Sequence, residues 1–382
     1  MQRQLPQIRS RGTPLNPSGR FEPLSMEATP GDPWEPDGGW EPNPEEADRR
    51  PTRVFRDASR SILTRNHSPD VGFDWSLNPY RGCEHGCIYC YARPTHEYLG
   101  FSAGLDFESR ILAKVEAATL LRGALASPRW SPQTVVMSGV TDPYQPVESR
   151  LGITRGCLGV LADCRHPVAL ITKSRRVLRD LDLLGELAAV EAAHVTVSVT
   201  TLDRDLQRAL EPRASSPEAR LETIRGLAGA GVPVAVNVAP VIPGLTDHEI
   251  PAILEAAAEA GASAAGFTLL RLPHGVKDLF MEWVGAHRPD RAGRILSRIR
   301  ETREGALYRS PFGTRMRGTG EYARQIEGLF TVSARRFGLD KRSLGLSVRA
   351  FRRPPSKARG PRSARSPGPS NQMDLFRQEV AE

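Results

Sequence analysis

Between residues 78 and 94 the chain reads N-P-Y-R-G-C-E-H-G-C-I-Y-C-Y-A-R-P. Three of its five cysteines, Cys83, Cys87 and Cys90, fall there with the spacing C-x-x-x-C-x-x-C. Thiols this close in sequence cannot all pair as disulfides, and thiolate is the soft ligand that zinc and iron–sulfur clusters take. A structural zinc site needs a fourth donor. His85 lies inside the loop as a candidate, but zinc sites usually draw on two well-separated ligand pairs, which this chain lacks. Three cysteines without a fourth describe instead a 4Fe–4S cluster with one iron left open.

Tyr89 precedes the third cysteine and Tyr91 follows it. The pattern C-x-x-x-C-x-aromatic-C resembles the signature of the radical S-adenosylmethionine (SAM) enzymes. The fuller wording G-C-E-H-G-C-I-Y-C-Y resembles the branch around spore photoproduct lyase. That resemblance implies a 4Fe–4S cluster on Cys83, Cys87 and Cys90 whose open iron binds the amino and carboxylate groups of SAM. It further implies reductive cleavage of the sulfur–C5′ bond to a 5′-deoxyadenosyl radical, fed by a reductase, flavodoxin or ferredoxin. The cofactors carry such chemistry, while the protein positions them and excludes water.

At 382 residues and 39% hydrophobic content the chain is long enough for one large core with extensions. Its 32 prolines crowd the two ends, while its 34 glycines are spread along the chain. No apolar run approaches the ~20 residues that span a bilayer, and the N-terminus lacks the apolar stretch of a secretory signal. An odd cysteine count with three clustered points to a reducing compartment, so the expected location is cytoplasmic. A net charge of +8 makes nucleic acid a reasonable partner, though solvated basic tails give the same balance.

Residues 1–50 are poor in apolar side chains and carry an acidic Pro/Gly stretch over 21–48, so they cannot offset their ordering entropy and are expected to be disordered. From Gly72 onward, runs rich in Val, Ile and Thr recur at 134–137, 168–172, 195–200, 232–238 and 265–270. Each is too short for a helix and reads as a strand buried on both faces. Apolar residues at helical spacing fill 107–125, 154–163, 177–192, 217–230 and 247–260. Asp106 and Thr246 stand where N-caps belong, and Gly231 and Gly261 where C-caps belong.

With one strand before the cysteine loop, this gives about six βα units and a parallel sheet. The expected fold is α/β, a partial (β/α)6 barrel, with a doubly wound sheet as the alternative. Either fold puts its ligand at the C-terminal ends of the strands, where the cysteine loop opens. The core is expected over 51–270 and a C-terminal helical extension over 271–345, clearest at 278–286 and 291–304. A basic, disordered tail is expected over 346–382.

After the second strand comes M-S-G-V-T-D-P-Y. It resembles the family's Gly-rich loop for the methionine amino group, with Ser138, Gly139, Thr141 and Asp142 as cofactor contacts. A carboxylate such as Asp142 suits an ammonium, while a Pro-terminated turn with Asp142 at its corner is the plainer reading. Lys173 ends the third strand and, by the same resemblance, meets the methionine carboxylate. On the fourth, alternation puts Thr196, Ser198 and Thr200 on one face and Val195, Val197 and Val199 on the other. Ser198 matches the family's ribose contact.

The segment L-E-P-R-A-S-S-P-E-A-R-L resembles a lyase-branch pattern with looser spacing, and makes Glu211, Arg213 and Arg220 a candidate ion network around the cofactor. Where the lyase carries a hydrogen-donor cysteine, this chain has Met137, Ser138 and Gly139. The resemblance therefore transfers the radical machinery but not thymine-dimer splitting. Cys157 and Cys164, seven apart on one helix face, read as buried inert thiols.

Q-M-D-L-F at 372–376 resembles the pentapeptide by which bacterial polymerases and repair proteins dock on the sliding clamp. Leu375 and Phe376 suit an apolar pocket and Gln372 its rim, although five residues match easily by chance. The loop R-S-P-F-G-T-R-M-R-G-T-G over 309–320 sets arginines among glycines, which suits a phosphate-bearing substrate. Arg315, Arg317 and His274 are the substrate candidates. The expected protein is a radical SAM enzyme acting on DNA by lesion repair or lyase-like chemistry. RNA, a peptide or a metabolite is the alternative substrate, and a non-catalytic metal-binding adaptor on the clamp the alternative of another class.

Overall fold

The computed structural model describes residues 10–21, 51–341 and 344–355. The acidic stretch from residue 22 on, the basic linker from 356 and the 372–376 motif lie outside them. Ten strands run in chain order: β1 (Arg53–Arg56), β2 (Leu63–Arg65), β3 (Trp75–Leu77), β4 (Tyr80–Arg81), β5 (Arg110–Ala113), β6 (Val135–Met137), β7 (Val168–Thr172), β8 (Ala193–Ser198), β9 (Val234–Val241) and β10 (Ala264–Leu269). Seven form the main sheet in the order β10-β9-β8-β7-β6-β3-β2. All neighbours pair in parallel except β2 with β3, which are antiparallel.

That order decides between the two expected architectures. A doubly wound sheet reverses direction at a switch point. Here each new parallel strand is added on the same side of the last, so right-handed crossovers place every helix on one face and the sheet curls into a barrel. The result is a partial (β/α)6 barrel. Side-chain alternation confirms which face is inside. Val195, Val197, Val234 and Val236 are buried in the main core, while the register partners Ser198 and Asn237 point into a cavity within the barrel.

The outer layer contains α1 (Leu105–Ser109), α2 (Ala117–Ala126), α3 (Glu148–Leu151), α4 (Ile153–Asp163), α5 (Leu181–Ala188), α6 (Arg204–Leu210), α7 (Pro217–Gly229) and α8 (Ile250–Glu259). Gly231 and Gly261 follow α7 and α8 at φ of +74° and +100°, the left-handed backbone expected after a last turn. Three helices then extend the chain: α9 (Val276–His287), α10 (Ala292–Glu301) and α11 (Gly320–Arg336).

Several sequence expectations need correction. The helix read over 107–125 is two short helices with β5 between them, because β5 pairs with β1 and β4 in a second, three-stranded sheet. Asp106 caps nothing. The residue before α1 is Gly104, and Asp106 accepts from the Ser102 amide (3.1 Å) and pairs with Arg110. Thr246 precedes only a 3₁₀ turn, and its hydroxyl accepts from the Ile242 amide (2.9 Å) instead.

Both described terminal segments, read from the sequence as disordered, are packed. Residues 10–21 lie against the cysteine loop, with the Gly12 amide donating to Glu108 Oε2 (2.8 Å) and the Leu105 amide to the Leu15 carbonyl (2.9 Å). Residues 344–355 run along the opposite end of the barrel. There the Arg352 amide meets the Cys164 carbonyl (2.7 Å), Arg353 donates to the Trp130 carbonyl (2.8 Å), and Phe351 packs edge-on against His166. No helix among the described residues is long and apolar enough to cross a membrane.

Candidate active site

The cysteine loop leaves β4 through two left-handed glycines, Gly82 (φ +76°) and Gly86 (φ +67°). Each cysteine carbonyl closes a turn: Cys83 accepts from Gly86, Cys87 from Cys90, and Cys90 from Arg93 (3.2–3.3 Å). One side chain fastens these turns together. Arg93 is fully buried and donates to the carbonyls of Cys87 (2.9 Å), Gly86 (3.1 Å), Ala103 (3.2 Å) and Gly104 (2.9 Å), and it also pairs with buried Glu108. Gly12 presses on the same loop from outside; a Cβ there would stand 1.8 Å from the Gly86 carbonyl oxygen, so only glycine fits.

Cys83, Cys87 and Cys90 all line one cavity of about 300 Å³ at the C-terminal ends of the strands. Burial pushes all three thiols up, Cys83 well above its ordinary 9.0 with Asp142 adding to the effect. A thiolate here therefore needs a cationic partner, which a bound iron–sulfur cluster provides. His85 lines the same cavity, and its buried Nε2 has no hydrogen-bond partner. Among the described residues no three His, Cys, Asp or Glu side chains are placed to hold a single metal ion. Three thiols facing one cavity are chemically suited to an iron–sulfur cluster.

Of the residues read as cofactor contacts, Ser138, Gly139, Thr141, Asp142, Lys173 and Ser198 line this cavity. Asn78, at the end of the β3 turn, holds their loop by accepting from the Val140 amide (3.1 Å). Asp142 is largely committed inside the protein. It accepts from the Tyr144 amide (2.8 Å), the Thr172 hydroxyl (2.8 Å) and the Lys173 amide (2.7 Å), and lies 3.4 Å from His85 Nδ1. The Lys173 ammonium donates to the Ala239 carbonyl (2.8 Å) and Thr200 Oγ1 (3.4 Å), and stands 3.5 Å from Glu211.

Glu211 does not line the cavity but lies fully buried behind it. It accepts from the Tyr89 hydroxyl, the Thr200 hydroxyl (2.6 Å) and the Arg220 guanidinium. Burial alone would raise its carboxyl, but Arg220 and then Lys173 hold it down at about 2. Arg213 corrects the expected network: it turns away to Glu84 (3.0 Å) and Thr52 (3.2 Å) and pins the outside of the cysteine loop. Tyr89 is therefore fixed from below by Glu211. Tyr91, half-exposed, spans the opening with its hydroxyl donating to the Gly139 carbonyl.

The three substrate candidates are not brought into the cavity. Arg315 pairs with Asp70 and donates to Ser68, Arg317 stacks 4.3 Å over Phe267, and His274 accepts from Arg20 (3.0 Å) outside it. Met316, between the two arginines, does line the cavity, as do Asn237 and Arg271, which the sequence reading did not select. Asn237 was within reach of the period-two argument that found Ser198; Arg271 carried no local signal. Cys157 and Cys164 lie in the main core, as expected for inert thiols.

The comparisons with known proteins agree with this arrangement. Residues 77–257 match the family model described as the Radical SAM superfamily. This chain belongs to the radical SAM superfamily. An uncharacterised Mycobacterium tuberculosis protein is 38% identical over 241 residues, 63% of this chain and 70% of that one. A Pseudomonas phage M6 protein described as a radical SAM Nα-GlyT isomerase is 26% identical over 53% of this chain and 38% of its own length. Spore photoproduct lyase complexed with dinucleoside spore photoproduct shares the fold at a TM-score of 0.55 and 16% identity, covering 74% of this chain and 79% of that chain. The family supplies what the cavity lacks by itself, a SAM-dependent radical chemistry, and makes the chain an enzyme.

Proposed function

We propose that this radical SAM enzyme holds a 4Fe–4S cluster through Cys83, Cys87 and Cys90, one iron being left for SAM, and that it acts on a base of DNA. The observation that carries the reading is that three thiols, two buried and one half-buried, and the six cofactor-wall residues share one cavity. When bound, the cluster supplies the electron that cleaves SAM to a 5′-deoxyadenosyl radical. The chain's own residues do the rest. Ser138, Gly139 and Thr141 offer a polar loop to the methionine end, and Asp142 fixes that loop against β7. Lys173 reaches the methionine carboxylate by giving up one of its present acceptors, Ser198 and Asn237 face the ribose and adenine, and Tyr91 closes the opening against water.

DNA as substrate draws support from the net charge of +8, from the dinucleoside held by the structurally similar lyase and from the clamp-like 372–376 motif. The five cysteines are unpaired, which suits a reducing, cytoplasmic compartment and a flavodoxin- or ferredoxin-type reductant.

Anaerobically reconstituted protein is expected to release 5′-deoxyadenosine from SAM, and Cys87→Ala to reduce that release at least 1,000-fold. Ultraviolet-irradiated and undamaged DNA should then be analysed for altered bases beside RNA and peptide controls. Zinc in place of iron, or product formed only on RNA or peptide, would overturn the respective halves of the reading. For the tail, Phe376→Ala is expected to weaken binding to a purified bacterial sliding clamp at least tenfold by surface plasmon resonance; unchanged affinity would remove the clamp as partner.

A further inference from the structure

Of the buried arginines near the site, Arg93 pairs with Glu108 and Arg220 with Glu211, while Arg303 donates to the Thr314 and Leu270 carbonyls. Half-buried Arg271 has neither kind of partner. It lies two residues beyond the end of β10 and lines the cavity, yet no acidic side chain among the described residues comes within salt-bridge distance of it. Its Nε is buried without a hydrogen-bond partner, and its Nη1 meets only the weakly accepting sulfur of Met316 at 3.6 Å. Asp70, an acid whose field it feels, is already engaged by Arg315 and the Gly313 amide. A guanidinium has five donors in a rigid fork, and here most of that capacity is unspent.

Its position is specific. The Arg271 guanidinium lies 4.8 Å above the ring of Tyr91, the residue after the third cysteine. Tyr91 is 46% exposed, whereas Cys83 and Cys87 are 7% and 8% exposed, so Arg271 stands at the solvent end of the cavity with the thiols below it. Beside it the 309–320 loop presents Phe312, 58% exposed and covered on one face by Arg315 at 4.5 Å. Aromatic faces interleaved with guanidinium groups around a largely apolar opening are the elements of a site that stacks bases and holds a backbone.

We propose that Arg271 is a substrate-binding residue that grips a backbone phosphate of a polynucleotide, so that the adjoining base is presented to the cavity. The proposal rests on the nucleic-acid reading above and names the residue that enforces it. Phosphate accepts both arms of the fork, while Tyr91 holds the guanidinium plane from the other side. The contact is blind to base identity, so it anchors any sequence and leaves selection to the cavity.

The test is fluorescence anisotropy of cluster-loaded protein, under anaerobic conditions, with labelled single-stranded DNA and RNA oligonucleotides across a salt series. Arg271→Ala is expected to weaken binding about 10- to 100-fold. It should also flatten the plot of log K against log salt by about 0.7, the loss of one phosphate contact on a single strand. Arg271→Lys should keep the slope, and Arg129→Ala, at the opposite end of the barrel, should change neither quantity. Matching thermal melts exclude a folding defect.

RNA bound in preference to DNA, with the slope change intact, would leave the anchor standing and remove DNA as substrate. Wild-type slope in Arg271→Ala would overturn the anchor. So would failure of the wild type to bind either polymer. Loss of SAM binding with oligonucleotide binding untouched would assign Arg271 to the methionine carboxylate and overturn it equally.

Discussion

Replacing Arg93 with methionine is expected to abolish retention of the proposed cluster on reconstitution and to lower stability by about 3–5 kcal/mol, although no thiol is touched. The substitution strands Glu108 as a buried charge and leaves the carbonyls of Gly86, Cys87, Ala103 and Gly104 without their donor. Each orphaned carbonyl must find water or move, and the turns that carry Cys87 and Cys90 move with it. Iron content by colorimetric assay and urea unfolding of the iron-free protein check the two halves separately. A second change, Glu108→Met, should recover part of the stability, since an apolar pair replaces a lone charge, but not the iron. Full iron content in Arg93→Met would show that the thiols hold their geometry unaided.

The second large effect concerns Glu211. Its carboxyl is held at about 2 against an ordinary 4.5, so the folded state favours the ionised form. The stabilisation is fully present above pH 4.5 and disappears as pH falls from there toward 2. It amounts to on the order of 3 kcal/mol, or about 1.4 kcal/mol per pH unit across that window. Glu211→Gln is expected to cost about 3–5 kcal/mol at pH 7, because Arg220 and Lys173 keep their charges without the carboxylate. Urea unfolding of both proteins at pH 7, 4 and 3 reads the difference. The gap should narrow as pH drops; a constant gap would mean the carboxylate is not what the cations are paired with. Tyr89, released from Glu211, should also lose its fixed position beneath the cavity.

What was legible in the sequence was local. Cys83, Cys87 and Cys90 announce themselves by spacing, and β7 and β8 by β-branched runs whose alternation separates Val195 and Val197 from Ser198. The glycines after α7 and α8 likewise follow from what a last helical turn requires. What was missed depends on residues far apart in the chain. Arg93 looks like any arginine near a helix start until the fold brings Glu108 against it and closes four loop carbonyls around it. Arg213 and Arg220 flank the same short segment, and only the folded path shows that one meets Glu211 while the other meets Glu84. The helical reading of 107–125 failed for a related reason. Arg110–Ala113 is a strand because β1 and β4 lie beside it, a tertiary pairing that overrides the local period. Arg315 and Arg317 had a composition suited to phosphate, but Asp70 and the ring of Phe267 had already claimed them.

The Arg315–Asp70 pair joins two parts of the wall that no ladder connects. β10 and β2 are the two margins of the main sheet, and among the described residues no strand bridges them. The gap is crossed by the 309–320 loop, which takes one ladder-like bond from the Leu269 amide to the Met316 carbonyl (2.9 Å) and then fastens to the turn after β2 through Asp70 and Ser68. A wall closed by strands can be breached only by unzipping a ladder. This one is latched by an ion pair and a few hydrogen bonds between residues some 245 apart in sequence. Unlatching it would leave every strand of the sheet paired as before, so this margin of the wall can open at the cost of a few side-chain contacts where a sealed cylinder would have to give up a ladder.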